Sequence, residues 1–432
     1  MPDLQTAIRP HAGRRIVLTT FGSLGDLHPY LALALELRAR GHDPVIATSE
    51  FYRQKIIAAG IGFAPVRPDR TLIDNDPRLL DQLLDLRRGP ETMIRQILMP
   101  HLRDSYTDLA AAAAGADLVV SHCLTFAAPL VAERLGIAWA STVLAPSAFF
   151  SVYDPPVLAP APFLSRLRFL GPAVYGPLFR RLCHRVHPWC EPWRRLRAEL
   201  GLPPAGNPVF SGQHSPHCVL ALYSAVLGAP QPDWPPHAAV TGFTFYDHDG
   251  SGGLEPGLEQ FLDAGEPPLV FTLGSAAVMH PGAFYAQSAA AAALLGRRAV
   301  LLVGRDQRHW PAGLPPHVAA FEYAPYSALF PRACAIVHSG GIGTTAQALR
   351  AGRPMLVVPY AFDQPDNAER VVRLKIARSV SRHRYTPARA ARELQYILGD
   401  PQYASRAAGV ASRLEGECGA AAACLHLEAL LA

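Results

Sequence analysis

Short apolar runs alternate with stretches of helical period along the whole chain, and this alternation restricts the fold more than any other feature. RIVLTT (Arg15–Thr20) is followed by a Gly-containing turn and then by HPYLALALELRARG, whose apolar residues recur at helical spacing up to Gly41. The unit repeats with DPVIATS and a second helix. DLVVSH (Asp117–His122) and IAWASTV (Ile137–Val143) are again short and apolar, separated by the helical stretch TFAAPLVAERLG. Runs without polar alternation are strands buried on both faces, and strand–helix–strand order makes a parallel sheet covered by helices on both sides.

HCVLALYS (His217–Ser224) and AAVTGF continue the strand pattern, and FYDHDGSGGLEPG (Phe245–Gly257) reads as an exposed linker. The rhythm then restarts with PLVFTLGS, RAVLLVG, CAIVHSGG and PMLVVPY, each followed by a helix or loop. A length of 432 residues exceeds one ordinary core and suits two domains of roughly 100–200 residues each. The expected architecture is α/β: two doubly wound domains, residues 1–244 and 267–410, joined by a linker over 245–266, with a helix over 411–432 packing back on the first domain. Ligands of such sheets sit outside the carboxyl ends of the strands, here in the cleft between the domains.

Composition removes several classes. Half the residues are hydrophobic and 17% are charged, which excludes disorder and coiled coil. The net charge of +5 is small and dispersed, so no nucleic-acid partner is expected. The seven cysteines are odd in number and never spaced C-x-x-C, against a disulfide framework or a structural zinc site. MPDLQTAIRPHAGRR has no apolar core of a signal peptide, and the uncharged runs Leu135–Tyr153 and Pro267–Gly296 carry Pro and Gly. These observations point to a cytoplasmic protein.

The stretch from Phe163 to Leu200 departs from the rhythm. Between Ala161 and Leu200 stand eight arginines against only Glu191 and Glu199. It reads either as a pair of helices on the acceptor side of the cleft or as a peripheral contact with an anionic membrane face over residues 163–200.

The chemistry concentrates in VHSGGIGTTAQALRAGRPMLVVPYAFDQPDNAERV (Val337–Val371). A strand ends at His338, and Gly340, Gly341 and Gly343 let a ligand approach the backbone. Thr344 and Thr345 open a helix whose free N–H groups favour an anion. After the next strand, Asp363, Gln364 and Asn367 cluster where several hydroxyl groups can be hydrogen-bonded. A phosphate cradle beside a polyol clamp describes a nucleotide-sugar site.

His-x-Gly-Gly-x-Gly-Thr followed by Pro-x-x-x-Asp-Gln-x-x-Asn resembles the donor motif of inverting GT-B glycosyltransferases. That group contains plant UDP-sugar, macrolide, sterol and rhamnolipid transferases. The likeness covers nearly the whole chain: FGSLGDLHPYLALALELRARGH is similar to the family's first strand–loop–helix and FTLGS to the first donor-domain strand. The spacing through QPDW, TGF, PLVFT and DNAERVVRL looks closest to the rhamnosyltransferase of rhamnolipid synthesis.

The resemblance implies a GT-B fold of two Rossmann-like domains facing across a cleft, and a UDP- or dTDP-hexose donor with no further cofactor. His338, Gly340, Gly341, Gly343 and Thr344 would hold the diphosphate, with Ser275 and Gly25 nearby. Asp363 and Gln364 would hold the sugar, and Tyr323 would stack on the pyrimidine. Where plant enzymes have a ribose-binding Glu, this chain has Ala346 beside Gln347, which leaves UDP and dTDP open. Where they have Gly-His in the first loop, it has Gly25-Asp26, as sterol and glycopeptide transferases do.

Asp26 is therefore the candidate general base, with His28 and His122 as neighbours. The plant His–Asp dyad is expected to be absent, because His122 stands where those enzymes keep the supporting Asp. The acceptor is expected to be small and lipophilic, given Phe149, Phe150 and Tyr153 ahead of the arginine-rich stretch. No metal site is expected: Asp74-Asn75-Asp76 and Asp247-His248-Asp249 read as solvated loops. Two other readings compete, a nucleotide-sugar-binding subunit without turnover and a dinucleotide oxidoreductase suggested by Gly22, Gly25 and Glu50.

Overall fold

The computed structural model describes residues 13–247 and 253–432. The first twelve residues of the stretch read for a leader, and His248 and Asp249 of the second Asp-x-Asp string, lie outside the described residues.

Two parallel sheets form. The first holds β1 (Arg15–Thr19), β2 (Asp43–Thr48), β3 (Gly62–Pro65), β4 (Leu118–Ser121), β5 (Ala138–Val143), β6 (Val219–Ala221) and β7 (Ala238–Val240), in the order β3-β2-β1-β4-β5-β6-β7. The second holds β8 (Leu269–Thr272), β9 (Ala299–Leu302), β10 (Val318–Phe321), β11 (Ala335–His338), β12 (Met355–Val357) and β13 (Ala377–Ser379), in the order β10-β9-β8-β11-β12-β13. Each sheet reverses its order once, between β1 and β4 and between β8 and β11. At such switch points the loops part and leave room for a ligand.

Burial on both faces explains the uniformly apolar strands. Ile16, Val17 and Leu18 are fully buried. Val17 packs with Ile94 and Leu130 on one side, while Ile16 and Leu18 meet Leu31 and Leu37 of α1 (Leu24–Ala39) on the other. In β8, Val270 faces one core and Leu269 and Phe271 the other. Burying one such large side chain stabilises by about 1.5–3 kcal/mol, so a polar residue anywhere in these runs would be costly.

Residues 163–200 form helices on the first lobe: tight turns over Pro162–Leu170, then α2 (Gly171–Cys183) and α3 (Glu191–Glu199). Leu164, Tyr175 and Phe179 pack with Phe150 and Val152, and Trp193 donates its indole N–H to Phe126 O at 2.9 Å. Phe163, Phe169 and Val174 stay exposed. Among the described residues no helix is long and apolar enough to cross a membrane.

The second lobe contributes α4 (Ile342–Arg350), α5 (Gln364–Arg373) and α6 (Pro401–Leu414). The last helix, α7 (Gly419–Leu431), returns to the first lobe. There Ala423, Cys424 and Leu427 share a core with Leu33 and Leu37, and Glu428 meets Arg40 at 3.1 Å. The changeover falls after α6, so residues 411–414 pack with the second lobe.

A buried ionic network ties the lobes. Arg370 reaches Asp154 of the first lobe at 2.5 Å, Asp366 at 2.6 Å and the carbonyl of Leu227 at 3.1 Å. Arg373 reaches the other oxygen of Asp154 at 3.0 Å, and Val157 N–H donates to Asp366 at 2.9 Å.

Candidate active site

The loops that follow the four switch-point strands meet across the cleft. A Cβ built on Gly343, in the first turn of α4, would stand 3.8 Å from the Cα of Gly25 in the first turn of α1. Two glycine-bearing helix starts therefore approach one another.

On the first lobe, Ser23 caps α1 and Asp26 closes the capping box. The Ser23 N–H and hydroxyl donate to Asp26 Oδ2 at 2.6 and 3.2 Å. Gly22 makes room for this, because at φ +137° its Cβ would stand 2.2 Å from the same Oδ2. Capping occupies Oδ2 only. Asp26 Oδ1 lies 3.6 Å from Nε2 of the buried His122, within ion-pair range but longer than a hydrogen bond.

The Leu124 N–H points at His122 Nδ1 at 3.4 Å, which leaves the ring proton on Nε2, toward Asp26. Burial keeps this imidazole below its ordinary pKa although Asp26 pulls it upward. His122 is thus a neighbour of Asp26, with the carboxylate in front and the imidazole behind, an order opposite to that of the plant His–Asp dyad. His28, the other expected neighbour, lies against the Tyr246 ring at 5.1 Å.

On the second lobe, His338 ends β11 with no solvent exposure. Gly340 N–H donates to its Nδ1 at 3.0 Å, so the proton is on Nε2, which finds no partner among the described residues. Burial pushes this imidazole down to about 3, so it stays neutral. A buried N–H without an acceptor costs free energy, and a phosphate oxygen would satisfy it. Gly340 is dictated by its place: at φ +89° its Cβ would stand 2.8 Å from Val357 and 3.1 Å from Gln364 O.

Asn367 joins the two halves of the motif. Its Nδ2 donates to Gly340 O at 3.0 Å and to Asp363 Oδ2 at 2.6 Å. Burial, reinforced by Asp26, pushes the Asp363 carboxyl up to about 7. The carboxylates of the two lobes therefore sense each other, and Cys123 after β4 senses both. Gln364 is half committed, since its Oε1 accepts from Tyr360 and Ala361 N–H at 2.8 and 3.1 Å. Its amide nitrogen is the group left for a ligand.

Ser275 lies in the helical turn Gly274–Ala277 after β8. A Cβ on Gly274 would stand 3.1 Å from Thr344 Oγ1, which brings that turn against the start of α4. Tyr323 follows β10, half exposed. The sequence reading missed Tyr326, whose hydroxyl meets Thr272 Oγ1 at 2.8 Å and bonds Thr344. Its only signal was its place three residues after Tyr323.

Comparison with known proteins identifies the family. The Glycosyltransferase family 28 N-terminal domain matches residues 16–153, and the Erythromycin biosynthesis protein CIII-like C-terminal domain matches residues 286–425. O-mycaminosyltylonolide 6-deoxyallosyltransferase of Streptomyces fradiae is 34% identical over 429 residues, covering 96% of this chain and 97% of that protein. The chain belongs to the GT-B nucleotide-sugar glycosyltransferases.

As a glycosyltransferase it is an enzyme of the hexosyltransferase class. Its fold matches the glycotransferase of kitacinnamycin, with TM-score 0.69 and 25% identity, over 97% of this chain and 100% of that one. It also matches VinC in complex with dTDP, with TM-score 0.68 and 21% identity, over 96% of this chain and 99% of that one.

Other acidic groups of this glycosyltransferase have structural partners. Asp74 pairs with Arg70 at 3.1 Å, and Asp76 caps the helix Pro77–Leu83. Asp247 binds Arg350 at 2.7 and 2.8 Å, and Gln347, beside the missing ribose Glu, donates to Asp247 at 3.4 Å. Glu50, which suggested a dinucleotide site, is paired with Arg53.

Proposed function

We propose that this glycosyltransferase moves a hexose from a dTDP- or UDP-sugar to a hydroxyl of a small, largely apolar natural product, with inversion at the anomeric carbon. The observation that carries the reading is the meeting of Asp26 with the His338–Thr344 turn and Asp363 across one cleft. In this reading the diphosphate lies on the turn after β11, accepting from His338 Nε2–H and the free N–H groups that open α4. Asp363 and the Gln364 amide hold the sugar hydroxyls, with Ser275 near the phosphates and Tyr323 on the base.

Asp26 Oδ1 accepts the proton of the acceptor hydroxyl as its oxygen attacks C1 from the face opposite the departing diphosphate. His122, rather than His28, steadies Asp26 from behind. Charge developing on the leaving group meets preorganised donors that need no rearrangement. Support for dTDP comes from VinC, described with dTDP bound. Support for a macrolide-like acceptor comes from the Streptomyces fradiae relative, whose name gives a glycosylated tylonolide.

The test is a panel of UDP- and dTDP-hexoses with macrolide aglycones, polyphenols and lipid alcohols, read by mass spectrometry, with the product anomer assigned by NMR. Transfer from any nucleotide hexose with inversion is expected. Binding of NAD(P) in place of nucleotide sugars, or retention at C1, would defeat the proposal.

A further inference from the structure

Gly22 and Ser23 share the peptide unit that holds Asp26. Its N–H, on Ser23, donates to Asp26 Oδ2 at 2.6 Å. Its C=O, on Gly22, accepts from the Tyr52 hydroxyl at 2.9 Å and from Arg70 Nη1 at 3.5 Å. A peptide unit is planar, so turning one end turns the other. Gly22 supplies little restraint of its own: it has no side chain and sits at φ +137°, where only glycine enters freely. The hold that other elements have on this peptide is through its carbonyl.

The two groups on that carbonyl come from different elements and are themselves held. Tyr52 ends the helical turn Glu50–Tyr52 after β2, with its buried ring in the core beside Leu27 and Ile56. Arg70 follows β3; its Nε pairs with Asp74 at 3.1 Å and its Nη1 donates to the Tyr52 hydroxyl. That donation leaves the phenol's own proton for Gly22 O, and burial pushes the phenol up to about 12, so the proton stays. Hydrogen bonds in series polarise one another, and the series Asp74–Arg70–Tyr52–Gly22 ends on the peptide whose N–H binds Asp26. We propose that Tyr52 and Arg70 are positioning residues for the transfer step: they set the plane of the Gly22–Ser23 peptide and, through its N–H, aim Asp26 Oδ1 at the acceptor hydroxyl. This inference rests on the reading of Asp26 as the base.

The experiment is a double-mutant cycle of Tyr52→Phe and Asp26→Asn, with Arg70→Lys as an independent variant, in which kcat, both KM values and Tm are measured. Tyr52→Phe keeps the ring and loses only the hydroxyl. It is expected to lower kcat about tenfold, because small misplacements of a reacting group are costly, with donor and acceptor KM within about twofold. Arg70→Lys keeps the charge but loses the fork that spans Asp74, Tyr52 and Gly22, and should lower kcat in the same direction. In the Asp26→Asn background Tyr52→Phe should cost less than about twofold, because its effect passes through the carboxylate. A folded Tyr52→Phe with wild-type kcat, or one that loses the same factor in both backgrounds, would overturn the proposal and make the pair a brace of the fold only. Should Tyr52→Phe not fold, Arg70→Lys in the same two backgrounds gives the comparison. Full transfer by Asp26→Asn alone would defeat the reading of Asp26 as the base, and this inference with it; loss of transfer there, with additive variants, defeats this inference alone.

Discussion

His122 stands behind Asp26, its Nε2 3.6 Å from the carboxylate oxygen that capping leaves unused. The nearly inaccessible imidazole backs a carboxylate that is 28% exposed, so the front of the pair is the acid. Asp26→Asn should cut kcat about 10²–10⁴-fold, the usual share of a general base, with donor KM little changed and the N-terminal cap kept. His122→Gln should cost less and shift the acid limb of the kcat/KM pH profile. Full activity in Asp26→Asn removes the base from this position.

Two adjacent glycines should separate folding from binding. Gly340→Ala places a Cβ against Val357 in left-handed backbone and should cost about 2 kcal/mol or more in denaturant titration. Gly341→Ala meets open space at φ −57°, so stability should hold while donor KM rises if the methyl crowds the proposed anion cradle. Equal stability losses in both would contradict this division.

Asp363 gives a pH-dependent signature. Its folded value of about 7 lies above the unfolded value of 3.8, so the acid is more easily kept neutral in the folded state. The stability this contributes is fully present below pH 4 and lost as pH rises through 7, by about 1 kcal/mol per unit, somewhat under the ideal 1.4 because the group is partly exposed. Asp363→Asn should therefore melt higher than wild type at pH 8 and alike at pH 4, while sugar transfer falls at both. Parallel melting curves across that range would exclude a raised carboxyl.

Arg370 is held by Asp154 and Asp366 with almost no solvent access. Breaking one side of such a buried network strands a charge at about 3–5 kcal/mol. Arg370→Leu should thus lower Tm sharply by differential scanning fluorimetry. Arg168→Gln, which removes an exposed pair with Glu369 at 3.2 Å, should change Tm little.

The two-sheet architecture was legible because parallel strands such as Ile16–Leu18 and Val270–Phe271 must be apolar on both faces, and an uninterrupted apolar run records that. The glycine turn after β11 was legible because Gly340 admits no side chain and His338 ends a strand. The Asp26–His122 pair was less so: the partners are 96 residues apart in sequence, and only the β1–β4 adjacency joins them. The contact of Tyr52 with Gly22 left no trace, since a backbone carbonyl acceptor is written in no residue type. The Pro- and Arg-rich stretch held no strand period, and its helices emerge from packing of Tyr175 and Phe179.

The return of α7 to α1 has a consequence for synthesis. The surface formed by Leu33 and Leu37 gains its cover from Ala423, Cys424 and Leu427, a segment synthesised only after the whole of the second lobe. The lobe begun first is completed only after the second has been made, and until then its greasy flank stays bare. Removing Gly419–Leu431 would leave a nascent half in need of a chaperone.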